Sequence, residues 1–471
     1  MRVIRFFLFL LICGIFSGVP ADCALAGADG DKARLLKIVA LSRHGVRSPT
    51  QDMKTLALWS SRPWPRWPVP RGDLTERGGR LITAMWAELR GTFMELGLLP
   101  HAACPPPGAI FVRADTDQRT RATARALLAG LAPGCETGYA VADGRPDTLF
   151  HPVKAGLCAF DPAAAASAVL SMTPGGLDRL HEECNAPLAL IDQLTAPPAP
   201  ELCAFFALPR QCRISDLPTS ISVSPKGRSV RLSGCLGIAS SLAEIFLLEY
   251  GQWPGRAAAW GQADGQILGR LLPLHSRVFD VINRAPLVAR ARGSSLLKEM
   301  ADALAGRHYD QRLNAARLVV FVGHDTNIAN IGSLLGVTWQ ARGWPPNGIP
   351  PGSALFLELW GVGERREVRV RFYAQTPAAL HTPLAGDHAQ RPEPPSSRNA
   401  GQDAPWTVKP EQAGDAALFA PAAAVVTAPP VVGEARFSLA AFEELVRKRI
   451  NQDCLAPQQT PALRHAADAE P

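Results

Sequence analysis

Two short stretches of the chain hold the side chains best suited to chemistry. The first, residues 43–47, reads Arg-His-Gly-Val-Arg. Arg43 and Arg47 offer planar, permanently charged donors that suit the oxygens of a phosphate group. His44 lies between these cations, which disfavour its charged form, so we predict a neutral imidazole, as a nucleophile requires. The alternative for so short a motif is a histidine at the end of a sheet beside two solvated arginines.

The second stretch, residues 323–327, reads Gly-His-Asp-Thr-Asn. His324 can donate a hydrogen bond to a phosphoryl oxygen, and Asp325 can protonate a leaving oxygen. A carboxyl acid suits an acidic working pH, because the pKa of a general acid must lie near the pH at which it operates. Taken alone, this pair is better explained as a capping aspartate beside a packed histidine. Together with residues 43–47, it indicates a site for phosphoryl chemistry.

The elements that must position these residues are buried strands. Apolar runs at residues 35–41 and 318–322 predict strands of a parallel sheet, and each reactive stretch follows one of them. Open α/β sheets hold their ligands at such strand ends. A further strand is predicted at residues 109–114, and the helix predicted at residues 117–131 has Arg119 in its first turn. A cation there opposes the helix dipole, so Arg119 is interpreted as an anion ligand, with a solvated arginine equally open.

Together these stretches resemble the signature of the histidine acid phosphatases, the acid branch of the histidine phosphatase superfamily. The wider match is to bacterial periplasmic phytases and acid phosphatases, and it includes residues 64–69, 74–79, 114–121 and 244–248. The resemblance implies a histidine phosphatase-like α/β fold, with a mostly parallel sheet flanked by helices and an inserted helical subdomain. It implies that His44 and Asp325 are catalytic. It also implies a set of residues that bind the substrate phosphate, namely Arg43, Arg47, Thr50, Arg119 and His324.

Substrate preference depends on a few neighbouring positions. Glu244, on a helix predicted at residues 234–250, corresponds to a substrate-facing carboxylate in phytase relatives, while a solvent-exposed glutamate is nearly as well supported. Thr326, directly after the His-Asp pair, favours phytases. Gln51 stands where phytases are known to carry a lysine, so one positive contact for a polyphosphorylated substrate is missing.

The favoured function is that of an exported acid phosphatase that hydrolyses phosphomonoesters through a phosphohistidine, in the first instance a phytase (myo-inositol hexakisphosphate phosphohydrolase). A glucose-1-phosphatase or an acid phosphatase of broad specificity is the alternative. A phosphate-transferring mutase of the same superfamily fits less well, because the chain begins with a secretion signal. From another class, a catalytically inactive protein that binds phosphate ligands is disfavoured by the intact His44 and Asp325.

The N-terminal segment has the layout of a secretory signal peptide at residues 1–26, with charged Arg2 and Arg5, an apolar region at residues 6–19 and a small-residue cleavage site. The apolar region is short for a membrane span, and the mature protein is predicted to be periplasmic or secreted. The rest of the chain is predicted to form an α/β domain in two parts, residues 27–149 and 261–455, with a helical subdomain at 150–260 between them. The second part contains a Pro/Ala-rich insertion at about 376–433, and residues 456–471 are predicted to be a disordered tail.

The composition of the chain limits the classes of partner that we expect. The chain has 471 residues and a formal net charge of +7, which suits anionic substrates or serves ordinary solubility equally well. The sequence has no run of Lys and Arg with interleaved aromatics, so no nucleic acid partner is expected. We expect a monomer that acts on a small phosphomonoester away from membranes. Neither a metal nor another cofactor is expected, because three arginines take the place of a metal and no metal-ligand spacing is present.

The cysteines indicate disulfides. Of ten cysteines, Cys13 and Cys23 precede the predicted cleavage site, which leaves eight. An even number in an exported chain favours disulfide pairing, but the spacing alone does not determine the partners. The resemblance implies the pairs Cys104–Cys135, Cys203–Cys212 and Cys158–Cys454, and this leaves Cys184–Cys235 as a fourth pair.

Overall fold

The computed structural model describes residues 33–102, 104–385, 387, 422–427, 435–455 and 463–466, with the backbone alone for 422–427 and 463–466. The predicted signal peptide lies outside these ranges, as do most residues of the predicted insertion and tail. Within the described part of the chain, no helix is both long enough and apolar enough to cross a membrane.

A ten-stranded sheet forms the centre of the molecule, in the order β12-β3-β2-β6-β1-β8-β9-β10-β7, with β11 also paired to β9. A separate hairpin is formed by β4 and β5. Strands β3, β2, β6 and β1 are mutually parallel, and the flanking pairs are antiparallel, so the sheet is mixed. The strands are β1 Arg34–Arg43, β2 Ile110–Ala114, β3 Tyr139–Ala142, β4 Ser220–Val223, β5 Val230–Ser233, β6 Leu318–Gly323, β7 Thr338–Gln340, β8 Ala354–Val362, β9 Arg365–Ala374, β10 Ala422–Thr427, β11 Ala435–Ser438 and β12 Leu463–Ala466.

Helices cover both faces of the sheet. They are α1 Met53–Trp59, α2 Glu76–Glu95, α3 Gln118–Leu131, α4 Pro152–Ala155, α5 Pro162–Ser171, α6 Gly176–Glu183, α7 Asn185–Leu194, α8 Pro200–Phe205, α9 Cys235–Gln252, α10 Ala258–Gly261, α11 Gly265–Asn283, α12 Pro286–Ala305, α13 Gln311–Ala315, α14 Asp325–Leu335, α15 Pro377–His381 and α16 Leu439–Arg449. Helix α2 begins after Thr75, whose side chain accepts a hydrogen bond from the Gly78 N–H. Such a cap satisfies one of the free N–H groups at a helix start.

Strand β1 is buried on both faces, as its largely apolar run, which contains the single charged residue Lys37, predicted. Its residues alternate between two clusters, because successive side chains of a strand point to opposite faces. Ile38 and Ala40 pack in the cluster that contains the apolar side chains of α2 and α3. Val39 and Leu41 pack in the cluster that contains those of α12 and α14. The strand is therefore clamped between two helical layers, which holds its carboxyl end in a defined position.

The region of residues 150–260 contains the helices α4 to α9, and it also contains the β4–β5 hairpin, which the sequence analysis did not predict. The hairpin is short, and its register joins Val223 to Val230 around a turn. Short strands of this kind lack the long apolar run by which β1 and β6 were recognised.

Two segments for which the sequence predicted no strand, the insertion and the tail, contain strands. Within the predicted insertion, α15 follows the capping Thr376 and β10 pairs with both β9 and β7. The predicted disordered tail is wrong at Leu463–Ala466, which forms β12 and pairs with β3. The physical reason lies in the sheet edges, whose unpaired N–H and C=O groups accept a further strand whatever its local composition.

Three of the four predicted disulfides are present, Cys104–Cys135, Cys158–Cys454 and Cys203–Cys212. The fourth prediction is wrong, because Cys184 and Cys235 are free, buried thiols. Both lie in the same apolar cluster. Burial raises the pKa of Cys184 to about 11 and that of Cys235 to about 12, which keeps both groups protonated. The thiolate is the reactive species in disulfide formation, so burial makes these two thiols inert.

Candidate active site

The predicted site residues meet at the carboxyl ends of parallel strands. In the register of β1 and β6, Arg43 lies opposite Gly323, so His44 and His324 each follow a strand end at the same edge of the sheet. Their ring centroids are 5.6 Å apart. The backbone N–H of His44 donates to the carbonyl of Gly323 at 3.1 Å, which ties the two reactive stretches together.

His44 is buried, with 2% of its surface exposed, and its ring orientation is set by a hydrogen bond. Nδ1 lies 2.9 Å from the carbonyl oxygen of Gly45. A carbonyl oxygen can only accept, so Nδ1 carries the proton and Nε2 keeps a free lone pair. Burial lowers the pKa of His44 well below its usual value, and Arg119, Arg47 and Arg43 lower it further. The neutral imidazole expected from the two neighbouring cations is thus favoured even more by burial.

Arg43 and Arg47 both face Glu244 from α9. The guanidinium of Arg43 donates to a Glu244 carboxylate oxygen and to the carbonyl of Ile349, and it lies 2.9 Å from Oδ2 of Asp325. Arg47 approaches the same Glu244 oxygen at 3.7 Å, and burial lowers its pKa to about 10. Glu244 is buried, which rules out the solvent-exposed alternative. These two carboxylates offset the charge of the two arginines.

Arg119 and His324 form the opposite wall. Nη2 of Arg119 lies 3.4 Å from Nδ1 of His324 and 2.6 Å from Oδ2 of Asp117. Because guanidinium donates, Nδ1 of His324 accepts, and its proton lies on Nε2. Burial lowers the pKa of His324, although the hydrogen bond to Asp115 opposes that shift. The sequence left open whether Arg119 binds an anion or is solvated. Its position beside His324 favours anion binding.

Asp325 is the first residue of α14, and its Oδ1 accepts the N–H of Thr326 at 2.7 Å. Burial alone would raise the pKa of Asp325, but Arg43, Arg47 and His324 outweigh burial and hold it below the usual value. Thr326 lines a large cavity next to the site. Thr50 is exposed and lies with Arg119 beside Gly72, at the rim rather than in the centre.

Two residues of the site were missed by the sequence analysis. Asp115 follows the end of β2 and is fully buried, and its Oδ2 accepts from Nε2 of His324 at 2.6 Å and from Nε2 of His151 at 2.9 Å. Burial opposes ionisation of Asp115, but the two imidazole donors outweigh it and hold the pKa far below the usual value. The position of Asp115 directly after a buried strand was a usable signal. His151 carries no local signal of this kind.

Comparison with known proteins identifies the family. Residues 34–190 and 247–373 match the sequence model of the histidine phosphatase superfamily (branch 2). The chain belongs to this family. The predicted family and fold class, and the phosphoric monoester hydrolase class, are thereby confirmed.

Several relatives are similar over most of their length. Phytase AppA of Escherichia coli (strain K12) is 36% identical over 69% of this chain and 77% of its own. Glucose-1-phosphatase of Salmonella typhimurium is 27% identical over 74% of this chain and 82% of its own. The solved structure of Hafnia alvei phytase in complex with myo-inositol hexakis sulphate superimposes with a TM-score of 0.75, at 33% identity, and covers 92% of this chain and 100% of that one.

Four donors of this histidine phosphatase lie close enough to hold a metal ion, namely Asp115, Asp117, His151 and His324, whose ligand atoms are within 4.8 Å of one another. These groups already have hydrogen-bond or ion-pair partners. Asp115 accepts from both imidazoles, and Asp117 pairs with Arg119. A metal would have to displace two N–H protons and compete with a guanidinium, so this cluster is better described as a hydrogen-bond network that orients His324.

Proposed function

We propose that the protein is an exported acid phosphatase that hydrolyses phosphomonoesters through a phosphohistidine on His44, with phytate as its substrate. The observation that carries the proposal is the free Nε2 lone pair of a buried, neutral His44 that is surrounded by Arg43, Arg47 and Arg119. A neutral imidazole is a nucleophile, and guanidinium groups stabilise the charge of a phosphoryl group in transfer.

In the first step, Nε2 of His44 attacks phosphorus and forms a P–N bond. The P–O bond to the leaving alcohol breaks, its electron pair passes to the alcohol oxygen, and Asp325 supplies the proton. Arg43, Arg47 and Arg119 bind the non-bridging oxygens throughout. His324 donates to one of them once Nδ1 is protonated, and Thr50 adds a hydroxyl contact at the rim. Arrival of the phosphoryl group competes with Asp325 for Arg43, which raises the pKa of Asp325 towards the acidic working range.

In the second step, water attacks phosphorus and the P–N bond breaks. Its electron pair returns to Nε2 of His44, inorganic phosphate is released, and Asp325, now a carboxylate, takes a proton from the water. These two steps restore the starting protonation of both residues. They require no metal and no other cofactor.

The preference for phytate rests on the relatives. Phytase AppA is more similar to this chain than the glucose-1-phosphatase is, and the Hafnia alvei phytase is solved with a hexa-anionic inositol derivative. Thr326 and Glu244 line two different pockets beside the reacting groups, and both are assigned to substrate choice. Export to the periplasm is inferred from the signal-like residues 1–26 and from three disulfides, which persist in oxidising compartments. That the protein acts as a monomer stays a prediction.

The test is phosphate release from phytate, glucose 1-phosphate and p-nitrophenyl phosphate at acidic pH with a chelator present. We expect kcat/KM to be highest for phytate, and His44→Ala to retain at most about one thousandth of the activity. Rapid-quench labelling with a radioactive ester should place an acid-labile phosphate on His44. Turnover without any labelled intermediate would overturn the mechanism, and a higher kcat/KM for glucose 1-phosphate would overturn the substrate.

A further inference from the structure

A second cationic surface lies beside the catalytic groups. A cavity of about 810 Å³ opens between α4, the β4–β5 turn, α12 and the start of α14. Thr326, directly after Asp325, lines this cavity, and so does His151, which hydrogen-bonds Asp115. Ligand pockets for small molecules have volumes of roughly 300–1,000 Å³. The cavity therefore has the size of a small-molecule site, and it lies beside the residue that directly follows the catalytic aspartate.

The charged side chains that line the cavity are all positive. Its lining includes four cations, and none of the residues that line it is an aspartate or a glutamate; the cations are Lys154, Lys226, Arg228 and Arg292. Among the described residues, none of the four forms an ion pair with a carboxylate. The catalytic arginines differ in this respect, because Glu244 and Asp325 offset their charge. A concave surface with uncompensated positive charge concentrates anions.

The β4–β5 turn is a firm platform for two of these cations. The hydroxyl of Ser224 accepts the N–H groups of Arg228 and Ser229, each at 3.1 Å, and the N–H of Ser224 donates to the Ser229 carbonyl at 2.9 Å. Nη1 of Arg228 donates to the carbonyl of Lys154 at 2.8 Å, which draws the turn and α4 together. Lys226, Arg228 and Lys154 are exposed to solvent, so a ligand in the cavity has access to them.

We propose that the β4–β5 turn, through Lys226 and Arg228 together with Lys154, binds a phosphate group of the substrate other than the one being cleaved. This inference rests on the proposed function and specifies its substrate class as compact molecules with several phosphate groups. Gln51, which is neutral, lines the separate pocket that contains Asp325 and Arg47. The turn therefore places the cationic contact for a second phosphate group on the α4 side of the site.

The test uses the double variant Lys226→Gln/Arg228→Gln in the full chain. We expect KM for phytate to rise about tenfold, so that the ratio of kcat/KM for phytate to that for p-nitrophenyl phosphate falls by a similar factor. Arg231→Gln is the matched control, since Arg231 lies on the same hairpin but does not line the cavity. That control should leave the ratio at the wild-type value.

Binding of myo-inositol hexakis sulphate, measured by calorimetry, separates this proposal from the proposed function. The wild-type protein should bind it, and the double variant should bind it about tenfold more weakly, whether or not phytate is turned over. Equal binding by both proteins, or an equal loss in Arg231→Gln, would overturn the assignment of the turn. Failure of the wild type to hydrolyse phytate, with the binding difference intact, would overturn the substrate alone.

Discussion

Oδ2 of Asp115 lies 2.6 Å from Nε2 of His324, and the same oxygen accepts a hydrogen bond from His151. The carboxylate fixes His324 as the Nε2–H tautomer and turns Nδ1 towards Arg119. If a proton is added at Nδ1, the carboxylate of Asp115 stabilises the positive charge of the imidazolium, and the ring can donate to a phosphoryl oxygen. Asp115 is therefore a positioning residue that acts through His324.

The first prediction concerns this carboxylate. Asp115→Asn keeps the shape but removes the negative charge. Its single oxygen can accept from both imidazoles only if its N–H2 group faces the backbone N–H of Thr116, which donates to the other carboxylate oxygen. We expect kcat to fall on the order of 100-fold with a smaller change in KM, because the orientation and charge of His324 are lost in the transition state. His151→Gln is the control, since its amide N–H2 group takes the place of Nε2–H and can still donate to Asp115, and it should keep most of the activity. Wild-type kcat in Asp115→Asn would show that the network has no part in catalysis.

A second prediction separates the two steps assigned to Asp325. Asp325→Asn removes the acid that protonates the leaving alcohol, so hydrolysis of phytate should fall by about 10²–10⁴-fold. The loss of phosphohistidine formation from p-nitrophenyl phosphate should be much smaller, because nitrophenolate leaves without protonation. Rapid-quench measurement of phosphohistidine formation with each substrate checks this difference. An equal loss for both substrates would contradict the role of Asp325 as general acid.

The third prediction concerns stability and pH. Glu249 on α9 is buried, and burial raises its pKa from 4.5 to about 7, although the N–H of Ala259 opposes that shift. The folded protein therefore holds this proton more tightly than the unfolded chain. Below about pH 4.5, Glu249 is protonated in both the folded and the unfolded state and does not lower the free energy of unfolding. As the pH rises towards 7, Glu249 ionises in the unfolded chain only, so the free energy of unfolding falls. Above pH 7 the group is ionised in both states, and the reduction is complete.

Glu249→Gln should remove that dependence, because the amide oxygen can still accept from Ala259 without ionising. Between pH 4.5 and pH 8, the wild type should lose about 3 kcal/mol of unfolding free energy relative to this variant. Urea unfolding at several pH values measures the difference. The exposed Glu95, changed to glutamine, serves as control and should follow the wild type. Parallel curves for Glu249→Gln and the wild type would refute the prediction.

The fourth prediction concerns the contact between α2 and the loop that carries His44. A Cβ added at Gly78 would lie 2.2 Å from the carbonyl oxygen of Val46, whereas one at Gly79 would lie 3.9 Å from Cβ of Ala126. Gly78→Ala should lower the unfolding free energy by about 1–3 kcal/mol and reduce kcat, since the loop must move. Gly79→Ala should instead raise the unfolding free energy by about 0.5–1 kcal/mol through helix propensity. Thermal unfolding and steady-state kinetics of the pair provide the measurement, and equal behaviour would contradict the packing argument.

Much of the site could be predicted from the sequence because its reactive residues are local to strand ends. Residues 43–47 and 323–327 each follow a largely apolar run, and such a run indicates a buried strand without knowledge of its neighbours. The neutral state of His44 also followed from adjacent arginines. The family resemblance added Arg119 and three disulfide pairs.

Contacts between residues far apart in the chain depend on strand order and register, and only the tertiary structure shows them. The meeting of Asp115 with His151, the pairing of Glu244 with Arg43, and the free state of Cys184 and Cys235 join or separate residues far apart in the chain. The same holds for β12, which the composition of the tail did not reveal because an open edge at β3 supplies its hydrogen bonds. Local patterns encode which segments form strands and helices, but contacts between distant residues arise only when the packed sheet brings them together.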